Sequence, residues 1–187
     1  MTEKRKNWNG LISGFKASDL VFLDESGCNT AMTRRYAYSF GGSRAVDATP
    51  LSKPKNTTIL SSIQLNGTLH YTTFSGGTTV ERFKQYLESD LLPHLNGNSV
   101  LIMDNMKSHH AKAVKNLLDS SGVRYIYLPP YSPDLNPIEK LWSKVKSLLR
   151  KFKARTLDAL PNAIQNAFHS VTVSDCSGWF RFCGYVL

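Results

Sequence analysis

Apolar and polar positions along the chain follow two rhythms, one of period two and one of period 3.6. Leu20-Val21-Phe22-Leu23 is a short apolar run, which predicts a buried strand that stops where the carboxylates Asp24 and Glu25 begin. Residues 56–65 and 68–74 are rich in Thr, Ile and Tyr and are joined by Asn66-Gly67, a pair that tolerates the left-handed backbone of a tight turn. They predict a β-hairpin. Thr78-Thr79-Val80-Glu81 reads as a capping box, and Val80, Phe83, Leu87 and Leu91 follow at helical spacing, so a helix should run to about Leu92 before Pro93 stops it. Val100-Leu101-Ile102-Met103 is a second apolar strand, and it too ends in an acid, Asp104. A helix over 110–119, a strand over 123–128 and helices near 138–153 and 157–169 complete the pattern. This order predicts an α/β sandwich whose sheet begins antiparallel and becomes parallel once helices serve as crossovers. No internal repeat or low-complexity linker divides it. Residues 26–55 carry turn signals at Gly41-Gly42, Pro50 and Pro54; Arg34–Phe40 reads as a strand, or the whole segment as a long loop over the site.

At 187 residues the chain is long enough for one domain with a sizeable core. A composition of 41% hydrophobic and 20% charged residues excludes wholesale disorder, collagen-like repeats and a coiled coil. No apolar run approaches a membrane span, and no apolar stretch follows the basic start MTEKRKNWNG as a signal peptide requires, so a cytoplasmic protein without membrane contact is expected. Cys28, Cys176 and Cys183 are odd in number and lack zinc-site spacing, which favours free thiols in a reducing compartment. The net charge of +9 is concentrated: residues 140–155 hold Lys140, Lys144, Lys146, Arg150, Lys151, Lys153 and Arg155 without an acid, and residues 1–16 add Lys4, Arg5, Lys6 and Lys16 against Glu3. Such concentration points to a polyanion, nucleic acid first, with a solvated basic helix as the alternative. The chain accordingly divides into a basic N-terminal segment, 1–17, and a main domain, 18–187.

In a parallel arrangement, strands ending in Asp24 and Asp104 open onto one crevice, where such sheets place ligands. A third acid, Glu139, opens the helix after Tyr131-Ser-Pro-Asp-Leu-Asn-Pro-Ile138. Three carboxylates at one sheet edge repel one another unless cations sit among them, and hard oxygen ligands suit Mg2+ or Mn2+. Two such ions can stabilise the attacking and leaving oxygens of phosphoryl transfer. At about 100° per residue, Ser143, Lys146, Arg150 and Lys153 fall within roughly 40° of Glu139. Ile138, Leu141, Trp142, Val145, Leu148, Leu149 and Phe152 take the opposite arc, so a phosphodiester backbone can follow the line of cations away from the acid. Simpler readings stand beside these. Asn136 can be an N-cap whose box Glu139 closes, and Asp24 and Asp104 can be ordinary strand-end turn residues. Glu25 competes with Asp24 as a ligand, although period-two alternation aims it at the opposite face. His109-His110 reads as a solvent-facing or capping pair, or else a ligand or base. Asp134 reads as a turn residue; Trp142, Trp179, Phe180 and Phe182 read as core.

The string Leu128-Pro-Pro-Tyr-Ser-Pro-Asp-Leu-Asn-Pro-Ile-Glu139, with Leu23-Asp24-Glu25-Ser26-Gly27 and Ile102-Met103-Asp104-Asn105 upstream, resembles the catalytic domain of DDE transposases of the mariner superfamily, in its bacterial insertion-sequence branch. The 34 residues between Asp104 and Glu139 match that branch's spacing. The resemblance runs from about Leu20 to the C-terminus. It places the catalytic, metal-holding triad on Asp24, Asp104 and Glu139 and implies a ribonuclease-H-like fold. It further implies Mg2+-dependent cleavage and transfer of DNA strands at element ends, with insertion at a TA target and assembly as a dimer or higher on DNA. Lys140, Lys144, Lys146, Arg150, Lys151 and Lys153 are the expected DNA-binding cations. Family members carry a helix-turn-helix region for terminal repeats. Only 23 residues precede Asp24, so that region is expected to be absent here or on a separate subunit. The alternative functions are a non-catalytic DNA-binding remnant or repressor, and a nuclease of the same fold acting on RNA–DNA hybrids.

Overall fold

The computed structural model describes residues 3–34, 36–51 and 54–185, apart from the side chain of Lys4. Its strands are β1 (Leu20–Cys28), β2 (Thr57–Gln64), β3 (Leu69–Ser75), β4 (Val100–Met103) and β5 (Arg124–Tyr127); its helices are α1 (Glu3–Lys6), α2 (Trp8–Ile12), α3 (Val80–Tyr86), α4 (Lys112–Ser121), α5 (Ile138–Phe152), α6 (Ala159–His169) and α7 (Val173–Phe182). The sheet order is β3-β2-β1-β4-β5, with β1–β2 and β2–β3 antiparallel and β1–β4 and β4–β5 parallel. The expected change from antiparallel to parallel pairing therefore falls at β1.

That position explains the largest departure from the expected elements. β1 does not stop at the carboxylates. Its pairing with β4 ends at Leu23↔Met103, but its pairing with β2 continues through Glu25↔Leu60 to Cys28↔Thr57. The antiparallel partner carries the strand past the point where apolar side chains give out. Asp24 thus sits beside the end of β4, where the parallel half of the sheet opens.

Alternation along β1 divides the core in two. Leu20 and Phe22 pack with Val100, Ile102, α5, α6 and α7 on one face; Val21 and Leu23 pack with Leu101, Met103, α3 and α4 on the other. Each fully buried Leu, Ile or Phe removes enough apolar area from water to contribute about 1.5–3 kcal/mol. Helix α5 buries Ile138, Leu141, Trp142, Val145 and Leu149, while Leu148 is half-buried and Phe152 exposed. Helix α7, which the periodicity does not single out, begins at a Thr172/Asp175 capping box and buries Cys176 and Phe180. Phe182, expected in the core, is 67% exposed and carries the Lys140 ammonium 3.9 Å from its ring centre. The cap of α3 is Thr79, whose side chain accepts from the Arg82 amide; it lies one residue later than the capping box read from the sequence. Beyond Tyr86 the helix loosens into a π turn, Leu87–Leu91, and a 3-10 turn, Leu92–His94, that takes in Pro93.

The described residues between β1 and β2 form no strand, so the Arg34–Phe40 stretch is irregular, with Arg35 outside the described set. This long connection lies along the C-terminal half of α5. Asp47 accepts from Lys153 at 2.7 Å, and Arg155 donates to the carbonyls of Thr30 and Met32 at 3.0 and 2.9 Å. The basic N-terminal segment is docked, Met1 and Thr2 lying outside the described residues: Trp8 is 2% exposed and its indole donates to the Tyr185 hydroxyl at 3.3 Å, which donates to the Leu135 carbonyl at 2.6 Å. The three cysteines are buried and unpaired, and burial pushes each thiol up to about 11, so none is a nucleophile near neutrality. Among the described residues no helix is long and apolar enough to cross a membrane.

Candidate active site

Three elements carry the acids to one place. Asp24 follows the last β1 residue paired to β4, Asp104 follows the end of β4, and Glu139 lies in the first turn of α5. All three line a single cleft of about 580 Å³, to which residues 128–133 and Asn136 also contribute. The cleft is at the carboxyl ends of the parallel strands, as the topology requires.

Burial and hydrogen bonding treat the acids differently. Asp24 is 8% exposed and accepts the Trp142 indole N–H on Oδ2 at 3.1 Å. Burial, aided by the charges of Asp104 and Glu139, pushes its carboxyl up to about 7 even though the backbone and Trp142 bonds favour the anion. Asp104 is also partly buried, but His109 and the Met106 amide, which donates to Oδ1 at 2.9 Å, outweigh that and hold its carboxyl below the ordinary range. Glu139 is exposed. It does not close a capping box: the α5 N-cap is Pro137, no side chain caps the helix, and Asn136 accepts the Glu139 amide through its backbone carbonyl at 3.1 Å. The capping explanation for Glu139 is thereby removed, leaving its carboxylate without a local structural task.

His109 takes a part that adjacent histidines near a helix start do not reveal. Its ring is fully buried, stacked 4.2 Å from Phe83, with Nδ1 2.8 Å from Asp104 Oδ1 and Nε2 3.3 Å from Glu25 Oε2. Burial disfavours its cation, but the two carboxylates prevail and push the imidazole up to about 9. The contact with Glu25 is an ion pair without hydrogen-bond alignment, since neither Nε2 nor Oε2 finds a directed partner. Asp24 and Glu25 do point to opposite faces, one toward Trp142 and the other toward His109, yet Glu25 also borders the cleft. His110 stacks on Tyr127 at 4.0 Å and stands outside the cleft. Asp134 lies in a 3-10 turn, as its turn chemistry suggested, and pairs with Arg5.

Among residues lining the cleft, two further buried oxygens lack partners: Glu25 Oε1 and Asn136 Oδ1, the latter in a residue 3% exposed. Among the described residues no three His, Cys, Asp or Glu side chains stand close enough together to form a ready-made metal-ion site. The acids flank an open volume instead. Carboxylate and amide oxygens around such a volume are the donor set of a hard divalent ion, so the residues fit Mg2+ or Mn2+.

None of the six cations named as DNA-binding lines the cleft. Lys140 and Lys144 border a groove of about 410 Å³ between α5 and α7, and Arg150 and Lys151 border one of about 330 Å³ beneath Arg34 and Tyr36. Three already have protein partners: Lys140 the Phe182 ring, Lys144 the Asp175 carboxylate at 2.5 Å, and Lys153 that of Asp47 at 2.7 Å. Lys146, Arg150 and Lys151 make no ion pair with the described residues.

The sequence model of the DDE superfamily endonucleases matches residues 19–161, which take in all three acids. The chain belongs to the DDE superfamily of endonucleases. This DDE chain is 33% identical over 75 residues to the Tc1 transposable-element transposase of Caenorhabditis elegans, covering 40% of the chain and 28% of that protein. Its fold matches the Mos1 transposase paired-end complex with left transposon end at a TM-score of 0.80 and 19% identity, over 97% of this chain and 59% of that one. It matches the catalytic domain of Mos1 mariner transposase at 0.73 and 17% identity, over 97% of this chain and 89% of that one. The mixed sheet flanked by helices is thus the ribonuclease-H-like architecture of that domain. Other Mos1 structures in the same fold contain Mn or Mg. The DDE chain spans a little over half of the longer Mos1 chains and 28% of the Tc1 protein.

Proposed function

We propose that the chain is the catalytic domain of a mariner-type DNA transposase and that Asp24, Asp104 and Glu139 together hold two divalent ions, Mg2+ or Mn2+. The observation that carries this reading is the convergence of the three acids on one cleft. The ions, when bound, supply an activated oxygen nucleophile and stabilise the leaving oxygen of the phosphodiester. The chain's own residues do the rest. Trp142 fixes the Asp24 carboxylate from the α5 side, and His109 fixes Asp104 from the opposite side of the sheet. Glu139 enters from the first turn of α5, where the helix dipole also favours a phosphate. Hydrolysis at an element end, then in-line attack of the freed 3′-hydroxyl on a TA-containing target strand, is the reaction this site would serve.

Sequence reading belongs to elements that enter a DNA groove, whereas carboxylates and lysines hold a backbone of any sequence. A helix-turn-helix region, on a separate subunit or joined to this domain, would therefore select the element ends, and pairing two ends calls for a dimer or larger assembly on DNA. Nicking of a labelled duplex by the chain with Mn2+ tests the reading. Binding without nicking, at any Mn2+ concentration that preserves the fold, would favour a non-catalytic DNA-binding protein.

The basic stripe gives a second test. Each lysine or arginine that neutralises a phosphate contributes about −0.9 to the slope of log K against log salt. Lys146→Ala, Arg150→Ala and Lys151→Ala are expected to weaken binding equally for unrelated sequences and to flatten the slope by about one each. Lys153→Ala should have a smaller effect because its ammonium must first leave Asp47. An unchanged slope in the triple variant would identify the stripe as a solvated face.

A further inference from the structure

Two described residues other than glycine hold a positive φ, Lys153 at 52° and Tyr131 at 54°. Lys153 is the left-handed cap with which α5 ends, an ordinary way to finish a helix. Tyr131 caps no helix. A bulky aromatic residue in that region is a steric outlier, and it persists only where its surroundings leave the backbone no alternative. Here they do so. Pro129 and Pro130 fix the backbone before it, Ser132 Oγ donates to the Pro130 carbonyl at 3.2 Å, and Arg5 Nη1 donates to Ser132 Oγ at 3.0 Å and to the Tyr131 carbonyl at 3.5 Å.

The backbone of this loop helps dock the N-terminal segment through Arg5, but the Tyr131 side chain adds nothing visible to the fold. The Tyr131 side chain is 98% exposed and neither stacks on nor hydrogen-bonds to any described residue. It does line the cleft that holds Asp24, Asp104 and Glu139. An aromatic side chain projected into water from a pinned backbone at the rim of a phosphodiester site matches the flat π surface that arrives with every nucleic-acid phosphodiester, a nucleobase. We propose that Tyr131 is a base-stacking residue, holding an unpaired or strand-terminal base of the DNA next to the reacting phosphate. A base inside a duplex has both faces covered by its neighbours, so only a terminal or unpaired one presents a face to the ring. Any base serves, because stacking is tolerant of sequence. The pinned backbone spares the loop's own ordering entropy on binding, leaving only the two side-chain torsions of Tyr131 to be fixed. This inference rests on the cleft being the nucleic-acid site argued above, and its test is arranged to fail separately from that reading.

The test compares a single-stranded oligonucleotide with the same sugar-phosphate backbone lacking bases, so that no register needs to be known. Binding to the full chain is followed by fluorescence anisotropy in Ca2+, another hard cation that oxygen ligands accept. The wild type should bind the base-bearing strand roughly tenfold or more tightly. Tyr131→Asn, which suits a left-handed backbone, should abolish that preference while keeping the melting temperature and the affinity for the abasic strand. Tyr131→Trp should retain the preference. Retention of the preference in Tyr131→Asn, or equal weakening on both strands, would overturn the proposal. Calorimetric titration with Mg2+ reads the carboxylates independently: a base preference that depends on Tyr131 in a protein that binds no divalent ion would sustain the stacking residue and remove the metal site.

Discussion

Asp24→Asn, Asp104→Asn and Glu139→Gln are each expected to lower Mg2+-dependent nicking by at least about 10³-fold while leaving the fold intact, because groups that act as one unit fail together when any one is removed. The fold should survive for residue-specific reasons. Asn at 24 keeps an oxygen for the Trp142 indole, Asn at 104 keeps one for the Met106 amide and the His109 ring while Glu25 stays as the counterion of His109, and Glu139 is exposed with no cap to lose. Rates from a labelled duplex, with circular dichroism as the control, decide each residue separately. A variant that nicks at a near-wild-type rate leaves the triad. Calorimetry should also show weakened divalent binding in all three variants; unchanged binding throughout would return Asp24 and Asp104 to the status of strand-end acids.

Much of this site is legible in the sequence because its parts are local. An apolar run closed by an acid fixes where a parallel strand delivers its carboxylate, and Asp24 and Asp104 needed nothing more to be placed at one sheet edge. Helical periodicity likewise separates the buried arc of α5 from the arc bearing Glu139. What escapes is set by contacts between distant segments. The continuation of β1 past Asp24 depends on β2, more than thirty residues later, and the run Leu20–Leu23 carries no trace of it. The burial of His109 comes from Phe83 on α3 and Glu25 on β1, so its own neighbourhood, Lys107-Ser108-His109-His110, reads as a polar turn. Trp142 has the spacing of a core residue and is one, being 3% exposed, but nothing local says that its N–H ends on Asp24. The protein partners of two cations escape for a similar reason: Asp47 and Asp175, which engage Lys153 and Lys144, are remote in sequence from α5.

The two sides of the sheet therefore contribute differently to one cleft. On the α5 side a neutral donor, Trp142, meets an acid that burial keeps partly protonated; on the α3 side a buried imidazolium holds Asp104 ionised. A cation entering the cleft meets one carboxylate ready to receive it and another that must first release a proton. Divalent binding should release that proton, and binding should tighten as the pH rises toward 8.

The same asymmetry sets the pH dependence of stability in the metal-free protein. Asp24 is raised from 3.8 to about 7, so between these values the folded chain retains a proton that the unfolded chain has lost. Rising pH then favours unfolding: the contribution is complete below pH 3.8 and lost as pH passes through 7. At 1.36 kcal/mol per unit the loss is on the order of 4 kcal/mol. Asp24→Asn should match the wild type near pH 4 and exceed it by about that amount at pH 8 in EDTA. Adding Mg2+ at pH 8 should close the gap, because the ion stabilises only the chain that binds it. His109, raised from 6.5 to about 9, has the same sign over a later window, its contribution present below 6.5 and lost through 9. His109→Gln should flatten the wild-type curve above pH 7 and destabilise the fold at pH 6 by up to about 3–5 kcal/mol, because it leaves the largely buried Glu25 carboxylate without a counterion, while Asp104 is more than a third exposed and is partly compensated by water. Urea titrations at half-unit steps from pH 4 to 9 provide the comparison. Parallel curves for Asp24→Asn and the wild type across that range would mean that Asp24 ionises as an exposed carboxylate does, and the cleft would then lack the electrostatic strain that a divalent ion is proposed to relieve.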